Sequence, residues 1–150
     1  MRRRFLPLLA VLLAASACAS SDTTVSPTPG ALDLSGKWTG NLSVDSLTAQ
    51  MTWTVTQTNN SVTGPVLVQL SNGVVLLNGA LSGNLSGSVL TYTIAVAPGG
   101  IPTYPSCTGK LGGTVTASTG ATSTMAGSYA LVSATCPTPF SSGTFTLTRQ

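Results

Sequence analysis

The chain has 150 residues, with six Lys or Arg, three Asp or Glu and no His. Three of the six cations, Arg2, Arg3 and Arg4, stand at the N-terminus, so the rest of the chain is near neutral and has no basic cluster for binding nucleic acid. Without His or paired carboxylates the chain lacks the residues for acid–base pairs, His-dependent triads and ordinary zinc sites, and we expect no enzyme activity, metal or cofactor.

The N-terminal segment has the order of an export signal. The three arginines are followed by the apolar run Phe5–Ala15 and by two small residues before Cys18. This run is too short to span a membrane, which takes about 20 apolar residues. The order resembles the signal of bacterial lipoproteins, and the resemblance implies cleavage before Cys18 and attachment of lipid, including palmitate, to that cysteine. Ordinary secretory cleavage is the alternative, because Ala15-Ser16-Ala17 also fits the small-x-small rule.

The number of cysteines favours lipidation. The chain has three, Cys18, Cys107 and Cys136, and an odd cysteine in an exported protein needs a role of its own. If Cys18 carries lipid, the other two can form a disulfide in an oxidising location; two unpaired buried thiols are the alternative. The bond would enclose about 30 residues and contribute on the order of 3 kcal/mol. We predict a lipid-anchored protein of the cell envelope. If the host is Gram-negative, Ala19 after Cys18 resembles cargo of the outer membrane.

Composition divides the chain into three segments. Residues 1–17 are the predicted helical signal peptide, 18–33 the lipidated cysteine with a tether, and 34–150 a folded domain. Between Ala19 and Ala31 the tether is rich in Ser, Thr and Pro and has no apolar periodicity, which is typical of extended, disordered linkers. At about 3 Å per residue it could hold the domain up to roughly 40 Å from the lipid.

From Leu34 onward, apolar residues alternate with polar ones in short runs separated by turn residues, a pattern that predicts β-strands. The predicted strands are Gly36–Val44, Ala49–Thr58, Val62–Leu70, Val75–Leu85, Val89–Ala97, Thr108–Ala117, Thr124–Ala134 and Gly143–Arg149. Asn59-Asn60, Asn72-Gly73 and Gly87-Ser88 are predicted turns. Eight consecutive strands predict an all-β fold, an antiparallel up-and-down barrel, with a two-sheet β-sandwich as the alternative.

Particular residues predict where these strands depart from regular pairing. Pro65 is predicted on the outer face, at a bulge or at a position whose N–H is not paired. In the seventh strand, Met125, Tyr129 and Leu131 share the inward phase. Six glycines also share the phase of the apolar residues and are predicted to fit a narrow interior or to let the strands bend. They are Gly40, Gly64, Gly79, Gly83, Gly113 and Gly127.

The two ends of the predicted domain carry a family resemblance. The stretch Leu34–Ser43, which contains Gly36-Lys37-Trp38, resembles the first strand of avidin-type barrels and the opening motif of lipocalins, both of the calycin-like group. The resemblance implies a barrel for a small apolar ligand, with Trp38 packed across the barrel floor and Arg149 stacked on it. Most of the residues with which avidins bind biotin have no counterpart here, because Gly40 stands where avidins have Asn and Trp53 is the only other Trp. Ser43 could match a ligand-binding Ser of that family. We expect no biotin binding.

Six apolar residues are the candidate contacts for a ligand or a partner. They are Trp53, Tyr92 and Tyr129 on strands, and Ile101, Tyr104 and Phe140 on or beside the loops Pro98–Ser106 and Thr135–Ser141. For the three strand residues, filling the core is the favoured interpretation, because small barrels are usually packed with side chains. Ile101 and Tyr104 are the stronger candidates, because residues in a loop rich in Gly and Pro have less reason to be buried. The disulfide is predicted to join the two loops at one end of the barrel.

These features predict a non-catalytic, membrane-anchored barrel that binds a small apolar ligand or a surface protein partner. One alternative is a structural or adhesive surface protein without a pocket, and another is a protease inhibitor that acts through its extended N-terminal segment. A ligand-sized interior cavity would favour the first function. A solid core with an exposed apolar patch on the loops would favour the pocket-free one.

Overall fold

A computed structural model describes residues 32–44, 47–119 and 122–150. Its eight strands are β1 Gly36–Val44, β2 Leu47–Thr58, β3 Ser61–Leu70, β4 Val75–Ser86, β5 Val89–Val96, β6 Gly109–Ser118, β7 Thr124–Ala134 and β8 Ser142–Arg149. Each strand pairs antiparallel with the next, and β8 pairs with β1 to close a barrel. The predicted up-and-down barrel is therefore confirmed and the sandwich alternative is wrong. The predicted signal helix, Cys18 and most of the tether lie outside the described residues.

The alternation of residue types determines which side chains fill the barrel. In β5, Leu90, Tyr92, Ile94 and Val96 are buried, while Thr91 between the first two is exposed. Successive side chains of a strand point to opposite faces of the sheet. The apolar phase of each strand therefore fills the interior, and the Thr-rich phase forms the outer wall. No polar or charged side chain is fully buried among the described residues.

Glycines on the inward phase allow neighbouring strands to approach closely. A Cβ atom on Gly40 would lie 1.9 Å from the carbonyl oxygen of Thr146, and one on Gly64 would lie 2.0 Å from that of Thr54. No side chain can be accommodated at such distances unless the backbone moves. The placement of these inward glycines agrees with their predicted role, because only a residue without a side chain lets the narrow barrel wall bend here.

Strand pairing is irregular at three places, the first being a register shift between Val68 and Gln69 in the β3–β4 pair. Pro65 is exposed, and the β2–β3 register continues unshifted from Trp53 opposite Val66 to Thr56 opposite Thr63, while the two positions between them are not paired. Pro65 is therefore unpaired toward β2, as its missing N–H requires. On its other side it lies in register with Ala80 of β4, so it marks no bulge. The β6–β7 register shifts next to Leu131. Leu131 keeps the predicted inward phase, but at the end of the barrel it is 37% exposed.

The antiparallel order separates the connections into two groups, one at each end of the barrel. One end of the barrel, which we call the entry end, contains residues 32–35 before β1 and the turns at 59–60 and 87–88. The strand β8 ends there as well. At the opposite end, which we call the loop end, lie segments 71–74, 97–108 and 135–141. The chain therefore enters the barrel at the end remote from its longer loops.

Trp38 and Arg149 close the entry end. Trp38 is 1% exposed and donates its indole N–H to the carbonyl oxygen of Leu34 at 2.8 Å. The guanidinium of Arg149 lies 5.5 Å from the centre of the Trp38 ring and donates to the carbonyl oxygen of Ser35. It also lies 3.9 Å from the carboxylate of Asp33, whose pKa is lowered mainly by hydrogen bonds from Ser35. The contact between Trp38 and Arg149 is thus the one that the family resemblance implied.

The side chain of Gln57 fixes the chain where it enters. Its Oε1 atom accepts a hydrogen bond from the N–H of Leu34 at 2.8 Å, and its Nε2 atom donates to the carbonyl oxygen of Leu32 at 3.0 Å. Leu34 itself is fully buried. Residues 32–35 are therefore attached to the barrel.

Candidate binding site

The three strand aromatics proposed as contacts lie in the core. Trp53 is fully buried, and Tyr92 and Tyr129 are 2% and 4% exposed. The ring centres of Trp53 and Tyr92 are 4.9 Å apart in an edge-on arrangement, and Phe145 lies 5.3 Å from Trp53. Aromatic side chains favour such tilted contacts. These residues therefore belong to the packed interior, and Tyr129 also borders the small cavity described below.

The polar atoms of Tyr92 and Trp53 differ in their hydrogen bonding. The hydroxyl of Tyr92 donates to the carbonyl oxygen of Ser128 at 3.0 Å, and burial raises the pKa of Tyr92 well above its ordinary value. The indole N–H of Trp53 is buried without a hydrogen-bond acceptor, a cost of about 1–3 kcal/mol. Nor do residues 32–44, 47–119 and 122–150 bring together three His, Cys, Asp or Glu side chains that could hold a metal.

The interior cavity bordered by described residues is small. An apolar cavity of about 10 Å³ lies in the half of the barrel nearer the loop end. It is lined by Met51, Val66, Val68, Leu77, Ile94, Leu111, Tyr129 and Phe140. One water molecule needs about 10–15 Å³ by the same kind of measure. The cavity is therefore too small for an organic molecule while Phe140 stays in place.

A wider depression, of about 810 Å³, lies on the outer wall where β1, β7 and β8 meet. Its lining is uncharged and consists mainly of Thr and Gly: Thr39, Gly40, Asn41, Ala126, Gly127, Thr144, Phe145, Thr146 and Thr148. None of the six candidate contacts belongs to it. It offers no charged group or exposed ring that would orient a ligand.

The two loops join at the loop end through the predicted disulfide. Cys107 and Cys136 are bonded, with Cα atoms 5.5 Å apart. Beside the bond, the N–H of Thr108 donates to the hydroxyl of Thr135 at 2.9 Å, and the N–H of Thr135 donates back to the carbonyl oxygen of Thr108 at 3.0 Å. The segments 97–108 and 135–141 are therefore held together as one unit.

We expect Cys107→Ala to lower the free energy of unfolding by about 2–4 kcal/mol under oxidising conditions, because the open chain regains conformational entropy when it unfolds. Urea unfolding measured with and without reductant tests this expectation. In reductant the wild type and the variant should differ little. An equal loss in both conditions would show that packing of the buried Cys107 side chain, which is 2% exposed, matters instead of the bond.

Of the three candidate contacts on the loops, two are buried and one is exposed. Ile101 is 6% exposed and Phe140 is 2% exposed, and both join the hydrophobic core. The expectation that Ile101 would stay exposed is therefore wrong, because its side chain packs against the core at the loop end of the barrel. Tyr104 is 45% exposed, as expected for a residue of this loop.

Exposed apolar side chains gather at the loop end. Five large hydrophobic residues are exposed in the described ranges, and four of them, Val74, Tyr104, Leu131 and Val132, belong to this end; Val89 is at the entry end. Sequence analysis missed Val74 and Val132 as surface residues. The sequence pattern could have identified Val132, because Val132 lies on the outward-facing phase of β7. In the structure its side chain is 63% exposed.

Comparison with protein families, with curated proteins and with solved structures finds no match to this chain. The eight-stranded antiparallel barrel is compatible with the calycin-like fold that the resemblance implied. Among the residues that the structure describes, no helix is long and apolar enough to cross a membrane. The function must therefore be inferred from the barrel and its loop end.

Proposed function

We propose that this protein is a lipid-anchored protein of the cell envelope whose barrel is a non-catalytic, pocket-free module that binds a protein partner through its loop end. The observation that carries the proposal is the position of the exposed apolar residues. Four of the five in the described ranges lie at the loop end, opposite the end where the chain enters.

The anchor half of the proposal rests on the order of residues up to Cys18. If Cys18 carries the lipid, the chain reaches the barrel at the entry end, where Gln57, Trp38 and Arg149 hold residues 32–35. The loop end is then the part of the barrel farthest from the point of attachment. A surface that meets other proteins is best presented at that distance.

The binding half rests on the filled interior. With only about 10 Å³ free beneath Phe140, a small ligand would have to displace that side chain, whereas the loop end is already exposed. A small apolar ligand remains a second candidate for one specific reason: Phe140 comes from a loop segment and not from a strand, so it is the wall of the cavity that can move most easily.

The two lysines provide a test of the partner site. Lys110 is exposed at the loop-end start of β6, and Lys37 is exposed near the entry end in β1. An amine-reactive crosslinker applied to intact cells should give an adduct with one protein through Lys110. The adduct should disappear in Lys110→Arg and persist in Lys37→Arg. An adduct that depends on Lys37, or none at all, would contradict binding at the loop end.

A further inference from the structure

The chain contains two Asn-Gly pairs, Asn72-Gly73 in the turn between β3 and β4 and Asn78-Gly79 within β4. Such pairs have a chemistry of their own, because the backbone nitrogen of Gly is the least hindered nucleophile that can attack the side-chain amide of the preceding residue. The attack closes a cyclic imide and releases ammonia, and water then opens the imide to Asp or iso-Asp. The two pairs are alike in sequence, so the fold determines which of them reacts.

Asn72-Gly73 lies in an exposed turn that can deform. Residues 71–74 are all exposed. The N–H of Gly73 donates to the carbonyl oxygen of Leu70 at 2.9 Å, and the φ angle of Gly73 is 84°, as in three-residue hairpin loops that end with a left-handed Gly. A Cβ atom on Gly73 would meet nothing within 4 Å. Rotation of the backbone between Asn72 and Gly73 therefore disturbs only exposed hydrogen bonds of the turn and no packed side chain.

A hydrogen bond already polarises the side-chain amide of Asn72. The N–H of Val74 donates to Oδ1 of Asn72 at 3.1 Å, a local contact that Asn side chains favour in turns. Negative charge develops on this oxygen when the nitrogen of Gly73 attacks Cγ, and a donor directed at such an oxygen stabilises the transition state. The same bond keeps the amide folded back along the backbone that supplies the nucleophile.

Asn78-Gly79, in contrast, is held in an extended strand. Asn78 is exposed as well, so exposure does not distinguish the two sites. Its N–H donates to the carbonyl oxygen of Gly100 at 2.7 Å, and Gly79 lies in register with Val66 of β3. A Cβ atom on Gly79 would lie 2.6 Å from a methyl group of Ile94, so the backbone here is closely packed. Closure of the imide needs rotation about the Cα–C bond of Asn78, which requires local opening of the strand.

We propose that Asn72 is a site of spontaneous deamidation, which converts its amide to a carboxylate, while Asn78 keeps its amide in the folded barrel. The backbone nitrogen of Gly73 loses its proton and bonds to Cγ of Asn72, and the amide nitrogen leaves as ammonia with that proton. Hydrolysis of the imide consumes only water. A new negative charge then lies beside Val74, which is 49% exposed at the loop end. The reaction needs no partner, so it proceeds whether or not the loop end binds one.

The test incubates the purified, folded protein at neutral and at mildly alkaline pH and follows both sites by mass spectrometry. Chymotrypsin separates the sites because Leu76 and Leu77 lie between them, and conversion of an amide to a carboxyl group changes the mass of the peptide. Position 72 should deamidate at least about tenfold faster than position 78, because reaction at position 78 has to await opening of the strand. The rate at position 72 should rise with pH, since the nucleophile is the deprotonated nitrogen.

The unfolded chain and two variants are the controls. In urea the two sites should react at similar rates, because the rate then depends mainly on the Gly that follows each Asn. Asn72→Gln should remove most of the mass gain of the folded protein, whereas Asn78→Gln should leave it unchanged. If position 72 kept its amide in the folded protein but reacted in urea, the turn would be protective and the proposal overturned. Equal rates at both positions in the folded protein, or no reaction at either in urea, would also contradict it.

Discussion

Replacing Cys18 with serine should move nearly all of the protein from the membrane fraction to the soluble fraction. Lipid would be attached to the thiolate of Cys18, and a serine hydroxyl is not such a nucleophile. If the signal is cleaved as proposed, Arg2, Arg3 and Arg4 leave with it and the remaining charges balance, so no basic cluster would replace the lipid.

The matched control is Cys136→Ser, which changes a cysteine of the barrel and should leave the protein in the membrane fraction. Mass spectrometry of the wild-type protein from its own membranes should show extra mass on the peptide that begins with Cys18. If Cys18→Ser stays with the membrane, or if the wild-type peptide is unmodified, the anchor is refuted. A wild-type protein that is already soluble would instead indicate ordinary secretory cleavage at Ala15-Ser16-Ala17.

Gly113→Ala should destabilise the barrel by about 3 kcal/mol or more, at the upper end of the range for overpacked interiors. A Cβ atom at this position would lie 1.9 Å from the carbonyl oxygen of Ser128 and 3.1 Å from the hydroxyl of Tyr92. The nearer atom belongs to the backbone of β7, so relief requires separation of β6 from β7. The hydrogen bond of Tyr92 to Ser128 would be disturbed as well.

The adjacent residue supplies the control. Gly112 lies on the outer face of the same strand, and a Cβ atom there would lie 3.3 Å from a methyl group of Val132, a side-chain end that can move. Gly112→Ala should change the free energy of unfolding by less than about 1 kcal/mol, since Ala also reduces the freedom of the unfolded chain. Urea unfolding of both variants tests the contrast, and equal midpoints would show that the close approach at Gly113 is not critical.

Much of the barrel could be predicted from short-range patterns. The alternation of Leu90, Tyr92 and Ile94 with small or polar residues predicts which face of β5 is buried, because strand geometry alone assigns successive side chains to opposite faces. Turn residues such as Asn72-Gly73 separate the strands for equally local reasons. The exposed position of Pro65 follows from its missing N–H.

The candidate site depended on contacts that no local pattern contains. Ile101 and Tyr104 stand three positions apart in the same Gly- and Pro-rich loop, yet one is buried and the other exposed. The difference arises because two successive turns direct Ile101 over the end of the barrel and leave Tyr104 at their junction. The space beneath Phe140 likewise depends on how side chains from six strands and one loop pack together.

The sequence by itself therefore determined the strand faces, the turns, the pair of cysteines available for the disulfide and the near-neutral surface, since each depends on residue type and on backbone geometry over a few positions. Only the tertiary structure decided that the interior is filled, that the exposed apolar residues gather at the loop end, and that this end lies opposite the point of entry. Those properties depend on closure between β1 and β8 and on packing between residues far apart in the chain, and no periodicity encodes them.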